Sequence, residues 1–402
     1  MVAAATRRTA PRMLTIIADD LTGACDTGCL FAGAGPVEVV AEPALPGADA
    51  HALGPVIAID TETRHLPPDE AASAVRAAAG RLGARLAAGM AFKKIDSTMR
   101  GAVRAELAAL LERGALSGAL VCPAFPAQRR VVVHGRLLVD SVPVHESPIG
   151  RDPAFHGVTA EMAALLGGGT SVRRLGLDHV RAGCEKIAHV LEQHRGDIVA
   201  ADAETDADLA TLAEALVAVP GTLAVGSAGL GRALSAALGL ASPPVALPPG
   251  GGRLFVVGSL HPASRTQLDA LVSAGLPGAY VSARGDADER PVVAALASGR
   301  PAFVASAAAP AAPQTMARRV AEATARILER ARPDLLAMMG GDTVYAVIHA
   351  LRPARFQLAG APADGLALGG LTLAGGRTLA VLTKAGGFGR PDLLAAIAGE
   401  TR

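Results

Sequence analysis

Three carboxylates crowd one turn of this sequence, in the run Ala18-Asp19-Asp20-Leu21-Thr22-Gly23-Ala24-Cys25-Asp26. Two adjacent acids directly after an apolar run repel each other and need a cation or hydroxyl partner. Capping of the following helix explains one acid but not both. The roles open to Asp19 and Asp20 are general base, binder of substrate hydroxyls, and Mg2+ ligand. A second turn, Lys93-Lys94-Ile95-Asp96-Ser97-Thr98-Met99-Arg100-Gly101, combines cations, a carboxylate and hydroxyls. An arginine fork matches a carboxylate bidentately, and Asp, Ser and Thr suit sugar hydroxyls. An N-cap accounts for Asp96 or Ser97 and leaves Lys94 and Arg100 unexplained.

Two further turns in this half are weaker signals. Pro123-Ala124-Phe125-Pro126-Ala127-Gln128-Arg129 is rigid and carries two polar handles. Gly226-Ser227-Ala228-Gly229-Leu230-Gly231 could bring backbone N–H groups to an anion, or could serve tight helix–strand packing equally well. Three glycine-rich turns lie in the second half: Gly258 to Ser264 with Ser259, Gly340-Gly341-Asp342-Thr343, and Thr383 to Gly389 with Lys384, Gly386 and Gly387. Such turns, with a hydroxyl and one Lys, are how a phosphate-binding surface is built. No GxxxxGK[ST] loop and no GxGxxG fingerprint occurs, so any nucleotide site is of another type.

The elements that position these turns alternate as short apolar strands and longer amphipathic helices, the pattern of a parallel α/β sheet. Ligands of open α/β sheets bind at the carboxyl ends of the strands, where these turns fall. Strands are predicted at Leu14–Ala18, Val56–Asp60, Ala91–Ile95, Leu120–Cys122, around Ile198, and at Leu223–Val225. In the second half they are predicted at Leu254–Val257, Ala302–Ala305, Leu335–Met338 and Leu379–Leu382. Helices are predicted from about Gly23, from Pro67-Pro68, from Ala102, and over Asp178 to His194. Arg130 to Asp140 predicts a hairpin around His134-Gly135. Ser306 to Pro313 predicts a surface loop.

With 402 residues, two domains are expected. The Pro/Gly-rich stretch 242–252 predicts the linker. The expected division is a tail at 1–12, an N-terminal domain at 13–241, the linker, and a C-terminal domain at 253–402. Each domain is expected to be a three-layer α/β/α unit with a mainly parallel sheet. The formal net charge is +1 and there is no Trp, which argues against nucleic acid as a partner. No apolar run reaches membrane-spanning length. Cys25, Cys29, Cys122 and Cys184 form no CxxC pair, so buried thiols in a reducing, cytoplasmic setting are expected. The oligomeric state is left open, with a homo-oligomer among the alternatives.

The runs Ile17 to Ala24, Lys93 to Gly101 and Cys122 to Gln128 resemble those of the four-carbon acid sugar kinase family. Gly226-Ser227-Ala228-Gly229-Leu230, Gly340 to Thr343 and Lys384 to Gly389 resemble its later motifs, in the same order. The resemblance implies a sugar-acid-binding domain followed by an ATP-binding domain. It implies γ-phosphate transfer from ATP, with Mg2+, to the terminal hydroxyl of a tetronate: D-threonate, D-erythronate or a 3-oxo-tetronate. Asp19, Asp20, Lys94, Asp96, Ser97 and Arg100 fall in the substrate motifs. Ser259, Gly340, Gly341, Asp342, Thr343, Lys384, Gly386 and Gly387 fall in the nucleotide motifs. Two departures stand out. Lys-Ala-Gly-Gly-Phe-Gly replaces the family's usual Lys-Ser-Gly-Asn-Phe-Gly, and Arg129-Arg130 replaces a usual Gly.

On this reading Lys94 and Arg100 hold the substrate carboxylate, and Asp19 or Asp20 accepts the proton of the attacking hydroxyl. The two domains are expected to close, with the linker as hinge. The competing functions are an NAD(P)-dependent oxidoreductase of small hydroxy acids and a non-catalytic sugar-acid sensor.

Overall fold

The computed structural model describes residues 13–41, 53–112, 114–167, 171–307 and 312–399. The expected tail, residues 1–12, and residues 308–311 of the expected Ala/Pro-rich loop lie outside them. The chain divides into two compact units. The first comprises residues 1–19, 49–57 and 63–241; the second comprises 20–48, 58–62 and 242–402. Two N-terminal pieces assigned from sequence to the first domain therefore belong to the second unit. Strand pairing is one reason: Val37–Ala41 runs antiparallel to Arg355–Gly360. The stretch 242–252 carries neither helix nor strand, yet Val245 and Leu247 pack against the core of the second unit.

In the first unit the strand Leu14–Ala18 is followed across the sheet by Met90–Lys94, Leu223–Gly226, Ala119–Cys122, Ile198–Ala201 and Val172–Leu175, all parallel. The central strands are apolar along their length and buried throughout, as parallel strands covered on both faces must be. Register decides what meets what. Ala18 pairs with Lys94, Lys94 with Gly226, and Gly226 with Cys122. The turns that begin at Asp19, Ile95, Pro123 and Ser227 therefore leave the sheet in one row.

The predicted hairpin is present, with Arg130–Val133 antiparallel to Arg136–Val139. His134 and Gly135 both take left-handed φ, 54° and 75°, as a two-residue hairpin turn requires. A third strand, Val142–Pro143, extends it. The helix expected over 178–194 is broken in two, Leu177–Val180 and Cys184–Gln193. Gly183, at φ 109°, interrupts it, and Asp178 lies in the first turn of the first piece.

In the second unit the order is Gly278–Val281, Ala302–Ser306, Arg253–Val257, Leu335–Met339 and Thr378–Lys384, all parallel. Leu366–Thr372 and Arg355–Gly360 continue the sheet antiparallel. Its core gathers Phe255, Val257, Leu271, Phe303, Met339 and Leu382. Leu366–Thr372 escaped the sequence reading because Gly369 and Gly370 interrupt its apolar pattern. The reason for one of them is close approach: a Cβ on Gly369 would stand 2.2 Å from the Gln357 carbonyl oxygen. Among the described residues no helix is long and apolar enough to cross a membrane.

One charged pair lies wholly inside the first unit. Lys93 Nζ is 2.5 Å from Glu106 of the helix Val103–Leu111, with side-chain exposures of 0% and 1%. Removing one partner leaves the other buried and uncompensated, whereas removing both does not. Lys93→Met should lower the unfolding free energy by about 3–5 kcal/mol, and Lys93→Met/Glu106→Leu should recover most of that loss in urea denaturation. A double variant no more stable than the single one would contradict this account.

Candidate active site

The two adjacent aspartates go separate ways. Asp20 has an extended backbone, φ −147° and ψ 155°, and successive side chains of an extended chain point to opposite sides. Asp19 is buried in the first unit. Arg64 grips it with both arms of its fork, Nε to Oδ2 at 2.9 Å and Nη2 to Oδ1 at 2.7 Å. Gly101, at φ 93°, leaves the room this needs, since a Cβ there would stand 3.2 Å from Asp19 Oδ2. Burial alone would raise the Asp19 pKa. The Arg64 guanidinium, with Lys93 and Lys94 farther off, outweighs burial and holds the carboxyl below its ordinary value.

Asp96, Ser97, Thr98 and Arg100 form the other half of this site. Arg100 donates through Nε and Nη2 to Asp96, at 3.0 and 2.9 Å, and through Nη1 to Asp152 at 3.0 Å. The Thr98 backbone N–H and hydroxyl also donate to Asp96. Burial again works against ionisation of Asp96, and Arg100 chiefly overcomes it, so its pKa lies well below the usual carboxylate range. All three guanidinium nitrogens of Arg100 are thus taken by carboxylates, and the expected grip on a substrate carboxylate does not follow from its geometry. Lys94 differs: it is buried, and among the described residues no carboxylate lies within ion-pair distance of it.

The remaining turns of this row are structural in their contacts. Ser227 Oγ donates to the Ala124 carbonyl at 2.9 Å and accepts from the Gly229 N–H at 3.1 Å. A Cβ on Gly226 would stand 2.6 Å from the Cys122 carbonyl oxygen, which is the tight-packing explanation for that glycine.

Asp20 belongs to the second unit and caps the helix Leu21–Gly28. Oδ1 accepts from the Gly23 N–H at 3.0 Å and Oδ2 from the Thr22 hydroxyl at 2.5 Å. The carboxylate also lies against Gly341, where a Cβ would stand 3.4 Å from Oδ2. Gly341 opens the helix Gly341–Leu351, whose N-terminus is suited to an anion.

Register again gathers the glycine-rich turns. Val257 pairs with Met339, and Met339 with Lys384, so the three turns leave this sheet side by side. Ser259 is their meeting point. Cβ atoms on Gly340 and Gly386 would stand 2.8 Å from Ser259 Cβ and 2.7 Å from its Oγ. Lys384 is buried, and its Nζ donates to the carbonyls of Ala385, Gly386 and Phe388 at 2.9, 3.3 and 2.9 Å. Burial pushes its pKa down to about 8. Ser264 and Gln267, which sequence reasoning did not single out, hold the same loop by its Gly386, Phe388 and Arg390 carbonyls. Among the described residues no group of three His, Cys, Asp or Glu side chains could hold a metal ion.

Residues 14–234 match the family described as Sugar-binding N-terminal domain, and residues 254–394 match Nucleotide-binding C-terminal domain. A D-threonate kinase of Bordetella bronchiseptica is 34% identical over 94% of this chain and 95% of its own. The chain belongs to the four-carbon acid sugar kinase family. A 3-oxo-tetronate kinase of Methylobacterium radiotolerans is 33% identical over 64% of each chain. A solved Haemophilus influenzae protein shares the fold, with a TM-score of 0.72 at 19% identity over 96% of this chain and 99% of its own. These named relatives are kinases, not nicotinamide-dependent oxidoreductases.

Sequence reasoning missed Arg64 and Asp60. Both flank the turn after the strand Val56–Asp60, and the strand-end rule that found the other turns also points here. Asp60 lies in the second unit, fully buried. Its Oδ1 accepts from the Glu62 N–H at 2.8 Å, and its Oδ2 is buried without a hydrogen-bond partner. Burial first, then the Glu62 and Asp20 charges, hold its pKa well above the ordinary value. Below the ordinary carboxyl range Asp60 is protonated folded or unfolded. Above that range the unfolded chain ionises freely and the folded chain does not, so this contribution to stability is lost as pH rises through the folded pKa. Asp60→Asn keeps the acceptor for the Glu62 N–H and removes the ionisation. Its Tm should exceed the wild-type value at about pH 8 and converge with it toward about pH 4. A lower Tm for D60N at the higher pH would sink the neutral-acid assignment.

Proposed function

We propose that this chain transfers the γ-phosphoryl group of ATP to the terminal hydroxyl of a four-carbon sugar acid. D-Threonate is the first candidate, with D-erythronate and 3-oxo-tetronates beside it. The observation that supports this most is the 34% identity with a D-threonate kinase over 94% of the chain. The free cysteines, of which Cys25, Cys29 and Cys122 are buried, fit the cytoplasmic setting that belongs to this reading.

In the first unit, Asp19 and Asp96 are the acceptors for sugar hydroxyls, and their cationic partners keep them ionised. In the second, the backbone of Gly340 to Thr343 and of the Lys384 to Gly389 loop cradles the phosphates, with Ser259 between. Asp20 and Asp342 are the carboxylates at that cradle. Mg2+ takes one or two carboxylates together with phosphate oxygens and water. When bound, the ion neutralises charge on the phosphates. The new bond joins the substrate hydroxyl oxygen to the γ-phosphorus, and the bond from that phosphorus to the bridging oxygen breaks. Its electron pair leaves with ADP, and the hydroxyl proton passes to a carboxylate.

Their partners choose between the two aspartates. Asp19 carries a bidentate guanidinium and a lowered pKa, which make it a poor base. Asp20 faces Gly341 at the phosphate cradle, and we assign it the proton. Asn caps a helix as well as Asp does, so Asp20→Asn keeps the fold and removes the base. D20N should lower kcat by roughly 10²-fold or more with little change in Tm, since general bases contribute on that scale. Wild-type kcat in a D20N protein of unchanged Tm would remove the assignment. ADP release measured over a panel of D-threonate, D-erythronate and 3-oxo-tetronates should show turnover with at least one. Turnover with none of them would overturn the substrate class.

A further inference from the structure

Arg130 opens the hairpin of the first unit, and the activity described so far leaves it without a task. Its backbone is pinned on both sides, with the Phe125 N–H donating to the Arg130 carbonyl at 2.7 Å and the Arg130 N–H donating to the Phe125 carbonyl at 3.2 Å. The preceding Arg129 takes the left-handed φ of 53° that a glycine adopts freely. That turn aims the Arg130 side chain at the substrate motif. Nη1 donates to Ser97 Oγ at 2.5 Å, and Nε is buried without a hydrogen-bond partner. Among the described residues no carboxylate forms an ion pair with Arg130.

A buried donor left unmade costs about 1–3 kcal/mol, and here it belongs to a half-buried guanidinium. The nearest acid cannot supply the missing charge, because Asp96 is gripped by both arms of Arg100. Burial lowers the Arg130 pKa, and Asp96 only partly opposes it. Among the described residues Arg100 is paired with Asp96 and Asp152, whereas Lys94 and Arg130 form no ion pair with a carboxylate.

We propose that the acceptor's carboxylate docks on the Arg130 guanidinium beside Ser97, so that Arg130 selects an acid over its neutral analogue. This rests on the sugar-acid reading above and gives Arg130 the role first expected of Arg100. A guanidinium fork presents two parallel N–H groups to a carboxylate, which a hydroxyl-bearing neutral group cannot match. The carboxylate end is thereby held in the first unit, and the far hydroxyl is left as the group to be phosphorylated.

The test compares wild type, Arg130→Met and Arg130→Lys in ADP release with D-threonate, D-erythronate, 3-oxo-tetronates and the corresponding neutral tetronamides. For the acid that the wild type turns over, R130M should raise KM by roughly 30-fold or more, the scale for truncating one partner of a buried charge pair, with a smaller effect on kcat. R130K keeps the charge without the fork and should fall between. For the matching amide, KM should stay within about twofold of wild type in both variants. Equal losses with acid and amide would mark Arg130 as merely structural, and an unchanged KM for the acid would dismiss it. Should R130M fail to fold, judged by Tm, the R130K split between acid and amide decides alone. A wild type that turns over none of the acids overturns the substrate reading and this inference with it; an active wild type with an indifferent R130 variant overturns only the inference.

Discussion

Charge withdrawn from water at the carboxyl end of a parallel sheet is the constraint on which the first unit depends. Asp19, Lys93, Lys94, Asp96 and Glu106 are all buried, and an isolated buried ion is prohibitively costly. Each pairing therefore fixes a piece of backbone. Arg64 on Asp19 ties the turn after Val56–Asp60 to the turn after Leu14–Ala18, and Thr63 and Arg64 N–H groups bind the Asp19 carbonyl as well. Arg100 joins Asp96 to Asp152, which comes from beyond the hairpin. Lys93 on Glu106 locks a strand to the helix that follows it. A network of this kind is rigid, and rigidity is what positioning a small polar substrate requires. The pairing is incomplete at Lys94 and Arg130, which among the described residues form no ion pair with a carboxylate.

The Asp19-Asp20 pair shows how one strand end can serve two chemistries. Strand alternation sends the two side chains apart, so their mutual repulsion is smaller than adjacency in sequence suggests. Each then acquires a different environment. Asp19 is made a weaker base by a guanidinium, and Asp20 is held by neutral donors from its own turn, Gly23 N–H and Thr22 hydroxyl. Capping at Asp20 is compatible with the proton-accepting role proposed for it. The cap fixes the carboxylate's orientation against Gly341, and a carboxylate oxygen has more than one lone pair to offer.

Much of this was legible in the sequence because the parallel α/β pattern is written in apolar runs. The runs at Leu14–Ala18 and Val56–Asp60 read directly as strands, and the strand-end rule pointed to Asp19, Asp96 and the three glycine-rich turns. Parallel pairing, not any motif, then brought those turns into rows. What escaped was set by contacts distant in sequence. Val37–Ala41 is apolar enough to be a strand, but its partner, Arg355–Gly360, lies more than three hundred residues on. Nothing local signals that residues 20–48 belong with the second unit. The identity of charge partners escaped for the same reason. Arg100 reads as a free fork in sequence, and Asp152, which occupies its third nitrogen, is 52 residues away. Gly183 alone broke a helix whose flanking periodicity was otherwise sound.

The departure in the last glycine-rich loop has a physical resolution. Ala385 and Gly387 bring neither a side-chain hydroxyl nor an amide to the loop. The loop's shape does not depend on them. It is held through its carbonyls, by Lys384 Nζ, by Ser264 Oγ and by Gln267 Nε2, and each of these donors is buried or nearly so. Gly387 also packs on the His261 imidazole, where a Cβ would stand 3.3 Å from Nε2. The carbonyls of Ala385, Gly386 and Phe388 are turned toward these donors. The loop is thus held from behind by side chains that lie outside positions 385 and 387. Lys384 fits the same logic. Its charge sits under the loop rather than beside a carboxylate, and burial lowers its pKa to about 8. An anion arriving above the loop would raise that pKa again by stabilising the ammonium, so phosphate binding and protonation of Lys384 favour each other.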